Sequence, residues 1–170
     1  MFYTMLDDLI LYQLLQFIKR YSNYEIKLYN YFFKKTQIYP YVIIPIKIED
    51  INFIFFFIDH YNYFEAKKYL NSIRHEIRNK KILIIRFDNI LINLIFNFFP
   101  DLCIHDIDIN VNNKEGKYEI SICFLRNLNA YHIAVGQGGS YIKAINKLFE
   151  RNINLYNYKI PLTIKCKKVD

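Results

Sequence analysis

The chain has little glycine, proline or cysteine and no tryptophan: 4 Gly, 4 Pro, 3 Cys and 0 Trp in 170 residues. The three cysteines, Cys103, Cys123 and Cys166, are scattered and odd in number, with no Cys-x-x-Cys or His-paired spacing. A disulfide or metal framework is therefore not expected, and the thiols read as buried or idle in a reducing compartment. Long apolar runs are also missing. Ile51–Ile58 and Ile90–Phe99 fall well short of the roughly 20 residues of a membrane span. Met1 to Met5 leads straight into Asp7-Asp8, without the basic start of a signal peptide or the Arg/Ser-rich start of a transit peptide. A soluble chain with no membrane partner and no targeting segment is the expectation. No Ser/His/Asp or paired-carboxylate arrangement stands out, and His60, His75, His105 and His132 share no ligand spacing. No catalytic site, metal or cofactor is expected from such a pattern.

Scarcity makes the placement of glycine informative. Three of the 4 glycines fall in Gly136-Gln137-Gly138-Gly139, directly before an amphipathic run from Ser140 to Glu150. Glycine permits positive φ and close backbone approach. A helix N-terminus after such a loop offers free N–H groups to a phosphate.

What is abundant points to a partner and a source. Lys and Arg number 23 against 16 Asp and Glu, a formal charge of +7 that favours a polyanion. Ile, Asn, Lys, Tyr and Phe, all with AT-rich codons, fill the chain. An AT-rich genome is the simplest cause, which places the protein in a plastid or another AT-rich organelle, with a bacterial cytoplasm as the alternative.

Along the chain, Leu9, Leu11, Leu14, Leu15 and Ile18 recur near a helical period, so Leu6 to Tyr21 is expected to be a helix. Its apolar face, with Lys19-Arg20 beside it, either docks a partner or packs on its own sheet. Val42 to Ile48 and Phe53 to Ile58, parted by Glu49-Asp50, read as a hairpin. Phe64 to Arg78 reads as a helix and Lys81 to Phe87 as a strand. A similar series follows: a helix from Asp88-Asn89 to Phe99, stopped by Pro100, then a hairpin of Cys103–Val111 and Lys117–Phe124. A short helix in Asn127–Ala134, the glycine loop, the helix from Ser140 and a strand within Ile153–Ile160 complete it. Tyr69-Leu70-Asn71-Ser72-Ile73 and Tyr141-Ile142-Lys143-Ala144-Ile145 lie 72 residues apart (141 − 69) with apolar positions in register. This suggests an internal repeat.

Two nucleotide-binding readings of the loop fail. Gly139-Ser140 lacks the lysine of a P-loop, and the third glycine of a dinucleotide fingerprint is out of place. A Gly-x-x-Gly loop between two helices is instead the arrangement with which KH domains clamp an RNA backbone.

The stretch Ala134-Val135-Gly136-Gln137-Gly138-Gly139-Ser140-Tyr141-Ile142-Lys143, continuing ungapped to Leu155, resembles the second KH domain of the bacterial transcription factor NusA. That family reads Ala-Ile-Gly-x-Gly-Gly-Gln-Asn-Val-Arg there. Upstream, Glu76-Ile77-Arg78-Asn79-Lys80-Lys81-Ile82-Leu83-Ile84-Ile85-Arg86-Phe87 resembles the end of the family's first KH domain, Glu-Leu-Arg-Gly-Glu-Lys-Ile-Asp-Ile-Val-Arg-Trp. The resemblance implies an α/β (α+β) fold with two tandem KH-like domains of bacterial (type II) topology. The segments would be an N-terminal helical segment (1–39), a degenerate first domain (40–87), a second domain with the loop (88–160) and a tail (161–170).

It implies a function too: binding of single-stranded RNA in bacterial-type transcription, with a bacterial-type RNA polymerase as a partner. The RNA-binding residues would be Gly136, Gln137, Gly138, Gly139, Ser140, Tyr141, Lys143 and Lys147. Lys143 and Lys147 would meet phosphate, Tyr141 would stack on a base, and Ile133, Ile142 and the Lys117–Phe124 strand would form the base groove. The first unit carries Phe64-Glu65-Ala66-Lys67 where a glycine loop would be, and nothing ahead of residue 40 resembles the family's polymerase-binding domain. A structural subunit of the organellar small ribosomal subunit, or a KH scaffold without RNA, are the alternative readings. For the lysines the bland reading is a solvated helix face.

Overall fold

The run Ile51–Ile58 is apolar at nearly every position, a pattern that fits a strand buried on both faces rather than one. The computed structural model, which describes residues 10–112, 116–156 and 161–170, bears this out. Strand β3 (Ile51–Ile58) is the centre of a three-stranded sheet, between β2 (Val42–Ile48), antiparallel to it, and β4 (Lys81–Arg86), parallel to it. The β2–β3 turn is Glu49-Asp50, with Glu49 at φ 51. On one face Ile54, Phe56 and Ile58 meet helices α1 (Asn23–Thr36), α2 (Tyr63–Lys67) and α3 (Leu70–Glu76) through Leu28, Phe32, Ala66 and Ile73. On the other face Phe53, Phe55 and Phe57 join a larger core shared with the second half of the chain.

The second half repeats the order. Helix α4 (Leu91–Phe98) precedes an antiparallel hairpin of β5 (Asp106–Asn112) and β6 (Lys117–Leu125). Helix α5 (Ala130–Val135), a 3₁₀ turn (Gln137–Gly139) and α6 (Ser140–Arg151) follow. The closing strand β8 (Leu162–Val169) lies parallel to β6, giving a sheet of order β5-β6-β8. One face of this sheet packs on the core, while on the other only the small Ser121 and Cys123 of the central strand are covered. Ile120, Ile122, Phe124 and Ile164 point into the core. Outward lie Asp108, Glu119, Lys165 and Lys167, joined in Lys165–Glu119 and Lys167–Asp108 ion pairs.

Helix α6 sits between the sheets. Ala144, Ile145, Leu148 and Phe149 are buried, and the helix contacts both β2 and β8. Asn146 fixes it to the second sheet: its amide donates to the Ile164 carbonyl (2.9 Å) and accepts from the Ile164 N–H (2.7 Å). The fold is thus α+β, with helices, sheet, helices and sheet stacked in turn.

Four expectations are corrected. Leu15–Phe17 is not helical: it is strand β1, antiparallel to β7 (Ile153–Leu155). Leu11, Leu14, Leu15 and Ile18 fit a helical period, but only Leu11 and Leu15 are buried, while Leu14 and Ile18 are exposed. The first residues of the expected helix lie outside those described. Second, the helix ahead of the first hairpin is Asn23–Thr36, whose stripe is Leu28, Phe32 and Thr36 at four-residue spacing. Third, Phe64 to Arg78 is two helices, α2 and α3, with a break at Lys68-Tyr69. Fourth, 162–169 is no tail. It is strand β8, which pairs in parallel with β6 as β4 does with β3, so the closing strand of the second half comes later than the expected 153–160. Of the strand expected within 153–160, Ile153–Leu155 forms β7, taken up by β1, and 157–160 falls outside the described residues.

Candidate nucleic-acid interface

Three left-handed glycines shape the loop between α5 and α6. Gly136 has φ 75 and ψ 175, Gly138 φ 60 and ψ 22, and Gly139 φ 71 and ψ 16. Their roles differ. A Cβ at Gly136 would sit 2.8 Å from the Tyr141 Cβ and 3.0 Å from its backbone N, whereas nothing lies within 4 Å of one at Gly138 or Gly139. Gly136 therefore closes the turn against the helix, and Gly138 and Gly139 present bare backbone outward. Gly139 caps α6 without a side-chain hydrogen bond, so the first-turn N–H groups have no side-chain acceptor.

Ser140, the first residue of α6, is 4% exposed, and its Oγ has no hydrogen-bond partner. A buried hydroxyl left unpaired costs about 1–3 kcal/mol, so a polar group brought to this end of the helix would be favoured. Ser140 and Gly136 line a cleft of about 520 Å³. Its floor is apolar, from Phe53, Phe98, Phe99 and Leu102, and its other wall holds Arg74, Arg78, Lys80 and Lys81 of the first unit.

That wall is strongly positive for a local reason. From Arg74 to Lys81 there are four cations and one acid, Glu76. Glu76 turns away to α1, where hydrogen bonds from Lys35 and from the Tyr31 hydroxyl hold its carboxyl below the usual carboxylate range. Arg74 is fixed by two bonds to the Ile82 carbonyl (3.2 and 3.0 Å). Lys80 and Lys81 lie over the rings of Tyr24 (5.4 Å) and Phe53 (5.9 Å). Among the described residues, no ion pair engages Arg78, Lys80 or Lys81. The clustered cations were legible in the sequence as a dense basic run; that they face the glycine loop was not.

The expected site residues separate into two groups. Gly136, Gln137, Gly138, Gly139 and Ser140 stand together at the loop and the helix start. Tyr141, Lys143 and Lys147 serve the junction between the units. The Tyr141 ring packs against Phe53, Phe55 and Phe99, and its hydroxyl donates to the Phe98 carbonyl. Burial pushes its pKa well above the usual tyrosine value. It is a strut in the wall of the cleft, not a free stacking surface. Lys143 Nζ reaches Glu49 (3.5 Å) and Lys147 Nζ donates to the Lys47 carbonyl (2.7 Å), both on the first hairpin. The expected groove also changes. Ile133 is exposed at the cleft, but β6 is hydrogen-bonded on both edges with Ile120, Ile122 and Phe124 fully buried, so it offers no wall to a ligand.

In the first unit the corresponding α2–α3 junction is right-handed throughout, with Lys68 at φ −60 and Tyr69 at φ −88. It has no glycine and no backbone opening of this kind. Among the described residues, no group of three or more His, Cys, Asp or Glu is placed to hold a metal, and no helix is long and apolar enough to cross a membrane.

No protein-family model and no curated protein matches this chain. Among solved structures it is similar to the one titled "Crystal structure of APE1850", at 17% identity and a TM-score of 0.59. The match covers 86% of this chain and 99% of that one. At that identity the likeness concerns the fold alone.

Proposed function

We propose that this chain binds single-stranded RNA, as a KH-like, NusA-like factor of bacterial-type transcription. The observation that carries the reading is the Gly136–Gly139 loop. Its Gly136 and the uncapped N-terminus of α6 at Ser140 line a cleft with a basic wall and an apolar floor, and the open backbone of Gly138 and Gly139 lies between them in sequence. Backbone N–H groups and cations suit phosphates, and an apolar floor suits bases. The element order helix, hairpin, helix, loop, helix, parallel strand supports a KH-like second unit. The first unit shares that order without the loop, which supports a supporting rather than a clamping role for it. The AT-rich composition favours an organelle such as a plastid.

Pull-down of the tagged chain with and without nuclease tests the reading. Recovery of a bacterial-type polymerase only without nuclease is the expected result, since the link would run through nascent RNA. Recovery in both conditions means direct docking. Small-subunit ribosomal proteins in place of polymerase would move the chain to the ribosome.

A further inference from the structure

Lys143 and Lys147 are the helix cations placed by sequence to meet phosphate, yet both are turned to the first hairpin. Charge facing the glycine loop comes from elsewhere: Arg78, Lys80 and Lys81, in the unit without a glycine loop, line the same cleft as Gly136 and Ser140. We propose that this cleft is one composite RNA site, in which a phosphodiester sits at the N-terminus of α6 on the Ser140 hydroxyl and the first unit supplies the cations. The inference rests on the RNA-binding reading above and assigns the partner of that same site.

Three independent observations converge on it. Helix α6 runs 12 residues and starts without a side-chain cap, so its positive end is open to an anion. The Ser140 Oγ is buried and unpaired at that same end, in the wall of the cleft. The only acid of the Arg74–Lys81 run is drawn off by Lys35 and Tyr31, which leaves the positive wall uncompensated. A cleft of about 520 Å³ has room for a small organic group and not for a folded helix. Its apolar floor, Phe98 and Phe99, would then cover part of a base or sugar, while phosphate meets the rim.

The test is the anisotropy of a fluorescein-labelled, unstructured RNA oligonucleotide, titrated with the full chain at several salt concentrations. Variants are Lys80→Gln/Lys81→Gln, Ser140→Ala, Gln137→Asp/Gly138→Asp and, as a control on the other face, Lys143→Gln. Thermal melts accompany each. The lysine pair should weaken binding tenfold or more and lower the slope of log K against log salt by about 1.4, at about 0.7 per phosphate on a single strand. Ser140→Ala should weaken binding about tenfold while leaving the melting temperature equal or higher, because it removes an unpaired buried hydroxyl. A merely structural serine would not divide the two readouts. Lys143→Gln should bind as the unaltered chain.

If the loop variant loses RNA but the lysine pair and Ser140→Ala bind normally with an unchanged slope, the composite cleft is wrong and the glycine-loop reading stands. No binding by the unaltered chain overturns both. Equal binding of an acidic peptide, polyglutamate, with the same dependence on Lys80 and Lys81 would replace RNA by an acidic protein segment and overturn the assignment.

Discussion

At the scale of the residue, neighbouring glycines of one loop do different work. Gly136 combines a φ of 75 and ψ of 175 with a Cβ position 2.8 Å from Tyr141, so both conformation and space demand glycine. Gly136→Ala is expected to destabilise by about 1–3 kcal/mol or more, whereas Gly138→Asn, at a left-handed position with open space, should lose far less. Urea melts of the two variants check this, and equal losses would mean that Tyr141 does not pack under the loop. Cysteines offer a second residue-scale test. Cys103 is exposed, burial pushes the Cys166 thiol up to about 12, and burial with the nearby Asp108 carboxylate raises Cys123. Thiolate is the reactive form. Iodoacetamide at neutral pH should label Cys103 and spare the other two until denaturant is added.

The elements divide by how locally their cause is written. Strands β2 and β3 were legible because a continuous apolar run broken by Glu49-Asp50 has few other solutions. Helix α6 was legible because Ala144, Ile145, Leu148 and Phe149 keep a helical period. Strand β1 was not, since Leu11, Leu14, Leu15 and Ile18 satisfy a helical period and the decisive partner, Ile153–Leu155, is far away in sequence. Helix α1 was hidden by Tyr, Asn and Lys around a thin stripe, and β8 by lysines that alternate with its inward residues. The loop of the candidate site was read from glycine placement alone; its cationic wall, and the engagement of Lys143 and Lys147, depended on packing between the units.

Strand β1 carries its own prediction. Its flanks hold both units: Leu15 N–H donates to the Asn89 carbonyl (2.7 Å), Ile18 N–H to Asn152 (2.8 Å), and Tyr156 N–H to Leu14 (2.8 Å). The Phe17 ring meets Tyr41, Phe57 and Phe87. Leu15→Pro removes one donor and distorts the strand. Hydrogen exchange should then speed up at the Tyr156 amide, in another part of the chain. Unchanged protection there would mean that the segment does not pair with β7.

For the whole molecule, one sheet serves two cores. Phe53, Phe55 and Phe57 complete the second unit's core, while Ile54, Phe56 and Ile58 complete the first. Loss of Phe55, fully buried between the units, costs about 3–5 kcal/mol by Phe55→Ala. With 0 Trp and 16 Tyr, tyrosine fluorescence and circular dichroism report on the fold. Both should move together to lower denaturant in one transition, while two separated transitions would mean that the units fold independently.

That shared core is what sets the basic wall of one unit opposite the glycine loop of the other, and photo-crosslinking tests this arrangement most directly. RNA carrying 4-thiouridine, irradiated on the full chain and mapped by mass spectrometry, should mark two peptides in the same complex. One contains Gly136 to Tyr141 and the other contains Arg78 to Leu83. Crosslinks confined to the loop, or to the outer face of the second sheet at Lys165 and Lys167, would contradict an RNA site built from both units.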